Sequence, residues 1–135
     1  MKNKKIFLLF LIVAILFCGL YATTYFPKRI ITIDPSDVSK IEIFDGNRGD
    51  LLTVTLPNEV EHIVSNINSI TFKKGKFSFG YSGYKFRLTL YDNAGKEHKE
   101  IIINSSEKIR YNGFFYTDEL SSIDYDYIDG LFKGN

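Results

Sequence analysis

The chain opens with a short basic segment followed by a long apolar run, an order that is typical of an exported protein. Three lysines precede an uncharged run from Ile6 to Ala22, and the four residues after that run add no charge. At roughly 1.5 Å per residue, a helix over this segment approaches the thickness of a bilayer core. We therefore predict a signal anchor at residues 1–27 that contacts the membrane through residues 6–26. The basic N-terminus is expected in the cytoplasm and the rest of the chain outside the cell membrane.

Two other fates of this segment stay open. A signal peptidase cut after Thr24 would place Ala22 and Thr24 at the positions where small residues are preferred. The pair Cys18-Gly19 resembles the lipobox of bacterial lipoproteins, but Phe17 stands where that motif has a small residue. An uncleaved anchor is the interpretation that we favour, with Cys18 as a small apolar residue of a membrane helix.

After a short linker at residues 28–36, the pattern predicts a folded body at residues 37–135. Residues 41–44 and 52–56 alternate as strands do, and the turn-forming residues 45–50 between them predict a hairpin. A helix is predicted near residues 58–69, with Asn58 and Glu61 spaced as a capping box. Its apolar positions recur at helical spacing: Val60, Ile63, Val64 and Ile67.

The second half of the body predicts further strands. Strand-like segments occur between residues 70 and 81, residues 85–91 alternate again, and a turn at residues 92–95 leads to a returning strand at 100–103. Asn112-Gly113 between two apolar runs is typical of a type I′ hairpin. A last helix is predicted near residues 119–132, with a stripe formed by Ile123, Tyr127, Ile128, Leu131 and Phe132. The fold class is therefore α+β: an antiparallel sheet of about 5–7 strands with two helices packed on one face.

The charge balance argues against one class of partner, and the cysteine count excludes an intramolecular disulfide. Five of the seventeen basic residues flank the anchor, which leaves twelve against sixteen acidic residues in residues 30–135, a net charge of −4. A mildly acidic body argues against nucleic acid as a partner. Cys18 is the single cysteine of the chain, so no intramolecular disulfide is expected.

No arrangement of residues specifies a reaction, and we predict neither an enzyme nor a cofactor. His62 and His98 lack the neighbours of a metal or acid–base site and are expected to be solvated. The remaining acidic groups are interpreted structurally: Asp45, Asn47 and Asp50 as a hairpin loop rather than a calcium loop, and Asp124, Asp126 and Asp129 as a solvated helix face.

One stretch of the body concentrates positive charge beside aromatic rings. Such a patch suits a protein partner or an anionic cell-envelope component, although lysines also protect the edges of sheets from aggregation. The candidate residues are Lys73, Lys74, Lys76, Tyr81, Tyr84, Lys85 and Arg87.

Four segments resemble a small uncharacterised extracytoplasmic domain of Firmicutes membrane proteins and lipoproteins, which also occurs as a sensor-like tail behind membrane metallopeptidases. These segments are residues 34–41, 80–86, 109–116 and 123–128. The resemblance covers about residues 34–132, implies one folded domain and carries over no catalytic residues.

We therefore expect a membrane-anchored extracytoplasmic binding or sensing module. The alternative is a secreted or lipid-anchored inhibitor or immunity-type protein that uses the Asn112-Gly113 hairpin as a wedge. An extracytoplasmic hydrolase is the third hypothesis, and it would need a metal or a carboxylate pair that the sequence does not reveal.

Overall fold

The computed structural model describes residues 2–119 and 122–134. Its first element is the helix α1, Lys2–Thr23. Within the described residues, one helix, Asn3–Thr23, is long and apolar enough to cross a membrane, and none of its apolar window is buried against the body. Cys18 lies exposed on this helix. The predicted N-terminal apolar helix is thus present.

The described part of the body contains seven strands in one antiparallel sheet, with the strand order β2-β1-β4-β5-β6-β7-β3. This confirms the α+β prediction. The elements are β1 (Val38–Asp45), β2 (Leu51–Val54), α2 (Pro57–Ser69), β3 (Phe72–Phe77), β4 (Phe86–Asp92), β5 (Glu97–Ser105), β6 (Lys108–Tyr111), β7 (Phe114–Asp118) and α3 (Tyr125–Leu131).

The core lies on one face of this sheet. Alternate residues of the central strands are buried there, and the α2 stripe predicted from the sequence packs into the same cluster. The ring of Phe86 at the start of β4 stacks at 5.8 Å on Phe132 and lies 5.2 Å from Tyr125. That both body helices cover one face stays a prediction. The fully buried strand residues include Ile41, Ile43, Phe86, Leu88, Leu90, Ile101 and Ile103.

The starts of both body helices differ from the sequence-based expectation. The predicted capping box of Asn58 and Glu61 is wrong, because Pro57 occupies the first helical position and Leu56 is the N-cap without a side-chain hydrogen bond. The last helix begins at Tyr125 rather than near residue 119. Asp124 caps it by accepting a hydrogen bond of 3.3 Å from the backbone N–H of Tyr127.

Ile123 explains why the last helix starts late. This residue is buried before the helix begins, and its backbone N–H donates to the carbonyl of Ser106. A hydrogen bond to a neighbouring loop takes the place of a helical one at this point. The part of the predicted helix at residues 120–121 lies outside the described residues.

Residues 28–36, predicted as a linker, belong to the packed body. Ile31 and Ile33 are buried in the core. Asn68 of α2 accepts a hydrogen bond of 3.0 Å from the N–H of Ile33 and donates one of 2.6 Å to its carbonyl. Apolar residues at alternate positions therefore dock this segment against α2 like a short strand.

The Asn112-Gly113 hairpin forms as predicted between β6 and β7. Both residues have positive φ, 46° and 80°, as a type I′ turn requires. The two-residue loop fixes the register so that Arg110 lies opposite Phe115. This pairing places a cation beside an aromatic ring on the face of the sheet turned away from the core.

Candidate functional site

The face of the sheet opposite the core carries a transverse row of apolar and cationic side chains. Because antiparallel partners share a face, the register of successive strands defines this row. We call it the open face row, and it consists of Leu51, Phe44, Arg87, Ile102, Arg110 and Phe115.

Residues 78–85, which we call the strap, cross this row between β3 and β4. Arg110 is 9 % exposed and donates hydrogen bonds from Nη1 to the carbonyl of Tyr81 and from Nη2 to that of Gly83, the latter at 2.9 Å. Asn104 donates to the same Gly83 carbonyl at 3.1 Å. Gly80 and Gly83 have φ of 77° and 83°, which lets the strap turn without steric cost. A buried guanidinium thus fastens the strap to the sheet.

The strap tyrosines cover the row from above. Tyr81 packs edge-on against Phe115 with 5.1 Å between ring centroids, and its hydroxyl accepts a hydrogen bond of 2.6 Å from Lys76. Tyr84 lies 6.4 Å from the ring of Phe44. The Arg87 guanidinium lies 5.2 Å from Phe44 and 5.7 Å from Tyr84. Cation–π contacts of this kind favour a fixed arrangement of charge and ring.

The structure therefore brings Lys76, Tyr81, Tyr84 and Arg87 of the predicted patch together. Lys73 lies on the same face one row further along, because it pairs with Thr117 in β7, and it forms an ion pair of 3.3 Å with Glu119.

The other two predicted patch residues point away from the open face. Lys74 has its Nζ 3.8 Å from the ring centroid of Phe114. Lys85 has a side chain only 13 % exposed and binds Asp45 at 2.8 Å. Lys73 and Lys74 separate because neighbouring residues of an extended strand lie on opposite faces. Lys85 precedes β4 and is drawn to the other side by the buried carboxylate of Asp45. The patch predicted from the sequence is thus two surfaces rather than one.

Sequence reasoning missed Lys108 and Arg110 as members of this surface. Both lie on β6, where Lys108 pairs with the same Thr117 that pairs with Lys73. The hairpin at Asn112-Gly113 predicts which β6 residue opposes which β7 residue. It does not predict that β3 pairs with β7 and brings Lys73 to the same face. Five cations therefore gather on this part of the open face: Lys73, Lys76, Arg87, Lys108 and Arg110.

Two buried polar atoms beside the strap retain hydrogen-bonding capacity. Among the described residues, neither Nε of Arg110 nor Oδ1 of Asn104 has a hydrogen-bond partner. A small cavity of about 150 Å³ opens next to Arg110, lined also by Ser78, Glu100 and Gly113.

One carboxylate of the open face, that of Glu42, is neutralised within its own cluster. Glu42 accepts hydrogen bonds of 2.8 Å from Lys40 and from the hydroxyl of Tyr91. These two hydrogen bonds hold the pKa of Glu42 below its usual range and raise the pKa values of Lys40 and Tyr91. The negative charge of Glu42 therefore stays balanced within its own cluster, and Lys76 and Arg87 present positive charge beside the strap.

His62, Asp124 and Asp129 make more contacts than the sequence predicted. The ring of His62 is half exposed, but its Nε2 lies 2.8 Å from Asp124 and the ring stacks at 3.9 Å on Tyr127. His98 is exposed on β5. Asp129 departs from the predicted solvated helix face, because its carboxylate binds Arg48 at 2.6 Å.

Asp45 lies at the end of β1 and has no exposed surface. Its Oδ1 accepts hydrogen bonds from the N–H groups of Asn47 and Arg48, as expected for a residue that opens a hairpin loop. Burial would raise the pKa of Asp45, but the hydrogen bonds from Lys85, Asn47 and Arg48 outweigh it and lower the pKa. Across the described ranges, no three His, Cys, Asp or Glu side chains come close enough to hold a metal ion.

Comparison with known proteins adds no relative. No protein-family model, curated protein or solved structure matches the chain. The resemblance to the Firmicutes extracytoplasmic domain therefore stays a prediction.

Proposed function

We propose that this protein is a membrane-anchored extracytoplasmic binding module, with α1 as its single membrane span and its basic N-terminus in the cytoplasm. The length and hydropathy of Asn3–Thr23 support the anchor. The basic residues that precede the span favour this orientation.

The proposed ligand is an anionic component of the cell envelope, bound at the strap and the open face row. The observation that carries this proposal is that the tyrosines of the strap lie in contact with cationic side chains of β3 and β4. Lys76 and Arg87 lie against the rings of Tyr81 and Tyr84 in a body whose net charge is negative. A polyanion would gain charge-assisted hydrogen bonds from the cations and contact with the ring faces.

The test is binding of poly(glycerol phosphate), a soluble phosphodiester polymer, by the full chain in detergent micelles. Lys76→Glu should raise Kd about tenfold, which corresponds to about 1.4 kcal/mol. Lys96→Glu is the matched control, because Lys96 is also an exposed lysine but lies in the β4–β5 turn. The control should bind within about twofold of the native chain.

Thermal unfolding of both variants separates a binding defect from a folding defect, since each should melt as the native chain does. Equal weakening by Lys76→Glu and Lys96→Glu would mean that binding depends on net charge and not on the strap.

The inhibitor hypothesis gains less support. The hairpin proposed as a wedge is held against the strap, because Ser78 donates a hydrogen bond of 3.0 Å from its backbone N–H to the carbonyl of Gly113.

A further inference from the structure

The body docks against the outer end of α1 through its edge strand. Lys28 and Phe72 exchange two backbone hydrogen bonds, of 3.0 and 2.9 Å, shortly after α1 ends at Thr23. The chain that leaves the helix is therefore paired with the start of β3. A free spacer does not separate the body from the end of the helix.

Lys74 extends this contact along β3. Its Nζ lies 3.4 Å from Oγ1 of Thr24, 3.8 Å from the ring centroid of Phe114, and 5.2 and 5.1 Å from the ring centroids of Tyr21 and Tyr25. Tyrosines at the end of an apolar span are typical of the membrane–water interface. The part of the body around Lys74 is therefore expected to lie at the level of the membrane–water interface.

Two exposed phenylalanines lie next to this point. Phe77 is 60 % exposed and its ring lies 4.4 Å from that of Phe114, which Lys74 contacts. Phe79 is 84 % exposed and lies beside the Gly113 turn. We call Phe77 and Phe79 the aromatic rim. Large rings left this open in water are unfavourable, whereas the bilayer interface accommodates them.

We propose that the aromatic rim inserts into the outer interface of the bilayer that α1 crosses, with Lys74 and Lys76 directed to headgroup phosphates. This inference rests on the proposed membrane span of α1. Its support is continuity: Phe77 contacts Phe114, Phe114 contacts Lys74, and Lys74 contacts the tyrosine-bearing end of the helix. The lysines match the charge of phosphates while their aliphatic stems stay beside the rings.

The opposite edge of the sheet supplies a matched control. Leu51 in β2 is 63 % exposed, close to the value for Phe77, yet β2 and β3 are the two ends of the strand order. Leu51 therefore has similar exposure to water but lies at the edge of the sheet far from the end of α1. If exposure alone drove a residue into lipid, both Leu51 and the aromatic rim would insert into the bilayer. If the contact between β3 and the end of α1 determines insertion, only the aromatic rim would insert.

The absence of tryptophan from the sequence allows a direct test. Three single-tryptophan variants of the full chain are reconstituted in vesicles of phosphatidylcholine and phosphatidylglycerol: Phe79→Trp in the rim, Leu51→Trp at the far edge and Ile12→Trp within α1. Fluorescence is measured with and without lipids brominated along the acyl chain. Phe79→Trp should show blue-shifted emission that the bromolipids quench, whereas Leu51→Trp should emit as in water.

Ile12→Trp distinguishes failure of the rim from failure of the anchor. Quenched Ile12→Trp together with water-like, unquenched Phe79→Trp would overturn the rim proposal alone, and would leave Phe77 and Phe79 as a surface for a soluble partner. Unquenched Ile12→Trp would overturn both the rim and the membrane span. Equal quenching of Phe79→Trp and Leu51→Trp would also overturn the rim, because it would indicate non-specific adsorption of the body.

Discussion

Lys85 donates a hydrogen bond of 2.8 Å to Oδ2 of Asp45, so that the end of β1 and the residue before β4 are joined by an ion pair inside the fold. Arg48 lies 3.3 Å from the same oxygen, and Asp129 of α3 lies 3.7 Å from the Lys85 Nζ. The buried carboxylate is tolerated because both of its oxygens have partners. The network connects the first hairpin to the C-terminal helix.

Replacement of Lys85 should be costly. Lys85→Met leaves the Asp45 carboxylate buried with Arg48 as its nearest charged partner, and we expect the free energy of unfolding to fall by about 3 kcal/mol. Denaturant unfolding of the full chain in detergent, followed by near-ultraviolet circular dichroism, measures this change in the body. Lys96→Met, at an exposed turn, should change stability by less than about 0.5 kcal/mol. Similar losses in the two variants would contradict the importance of the buried pair.

Acid should weaken the same network. Burial acts to raise the pKa of Asp45, but the hydrogen bonds from Lys85, Asn47 and Arg48 outweigh it and lower the pKa below the ordinary 3.8. A carboxylate with a lowered folded-state pKa stabilises the fold fully above the unfolded value and loses that contribution as pH falls through the folded value. Asp45→Asn should therefore be less stable than the native chain at neutral pH, and the difference should shrink below pH 3.8. If the unfolding free energies of Asp45→Asn and the native chain changed in parallel with pH, the ionisation of Asp45 would not contribute to the acid sensitivity of the fold.

The two hydrogen bonds that hold residues 28–36 against α2 can be tested with two asparagines of that helix. Asn68→Ala removes both hydrogen bonds to the backbone of Ile33 and leaves its N–H and carbonyl without this partner, so we expect a loss of about 2 kcal/mol in unfolding free energy. Asn58→Ala changes a residue that is not the N-cap and should cost less than about 0.5 kcal/mol. Chemical unfolding gives both numbers. A larger loss for Asn58→Ala would restore the capping box that the structure rejects.

The strap should loosen when Arg110 is shortened. Arg110→Met keeps much of the apolar stem but removes the hydrogen bonds to the carbonyls of Tyr81 and Gly83. Amide hydrogen exchange at Ser78 and Tyr81, whose N–H groups are hydrogen-bonded in the closed strap, should accelerate about tenfold, as expected for an opening free energy lower by about 1.4 kcal/mol. Lys108→Met, on the same strand, is the control and should leave strap exchange unchanged. Unaltered exchange in Arg110→Met would mean that the tyrosine contacts alone hold the strap.

Local patterns predicted much of this molecule. The apolar stripe of α2 and the Asn112-Gly113 hairpin depend on residues close in the chain, so their periodicity and turn chemistry were sufficient. The capping box failed for an equally local reason, since Pro57 takes the first helical position and moves the N-cap to Leu56. The last helix was predicted too long because the burial of Ile123 and its hydrogen bond to Ser106 come from a distant loop.

The candidate site shows where sequence alone stops. Sequence patterns alone established three features: the apolar N-terminal segment, the strand-rich body and the concentration of cations after residue 72. They could do so because hydrophobic periodicity and composition are properties of neighbouring residues. The folded structure was needed to show that Lys85 pairs with a buried carboxylate while Arg87 faces outward beside Phe44. It was also needed to show that Arg110 reaches under the strap. These outcomes depend on the order and register of strands far apart in the chain, which no local pattern encodes.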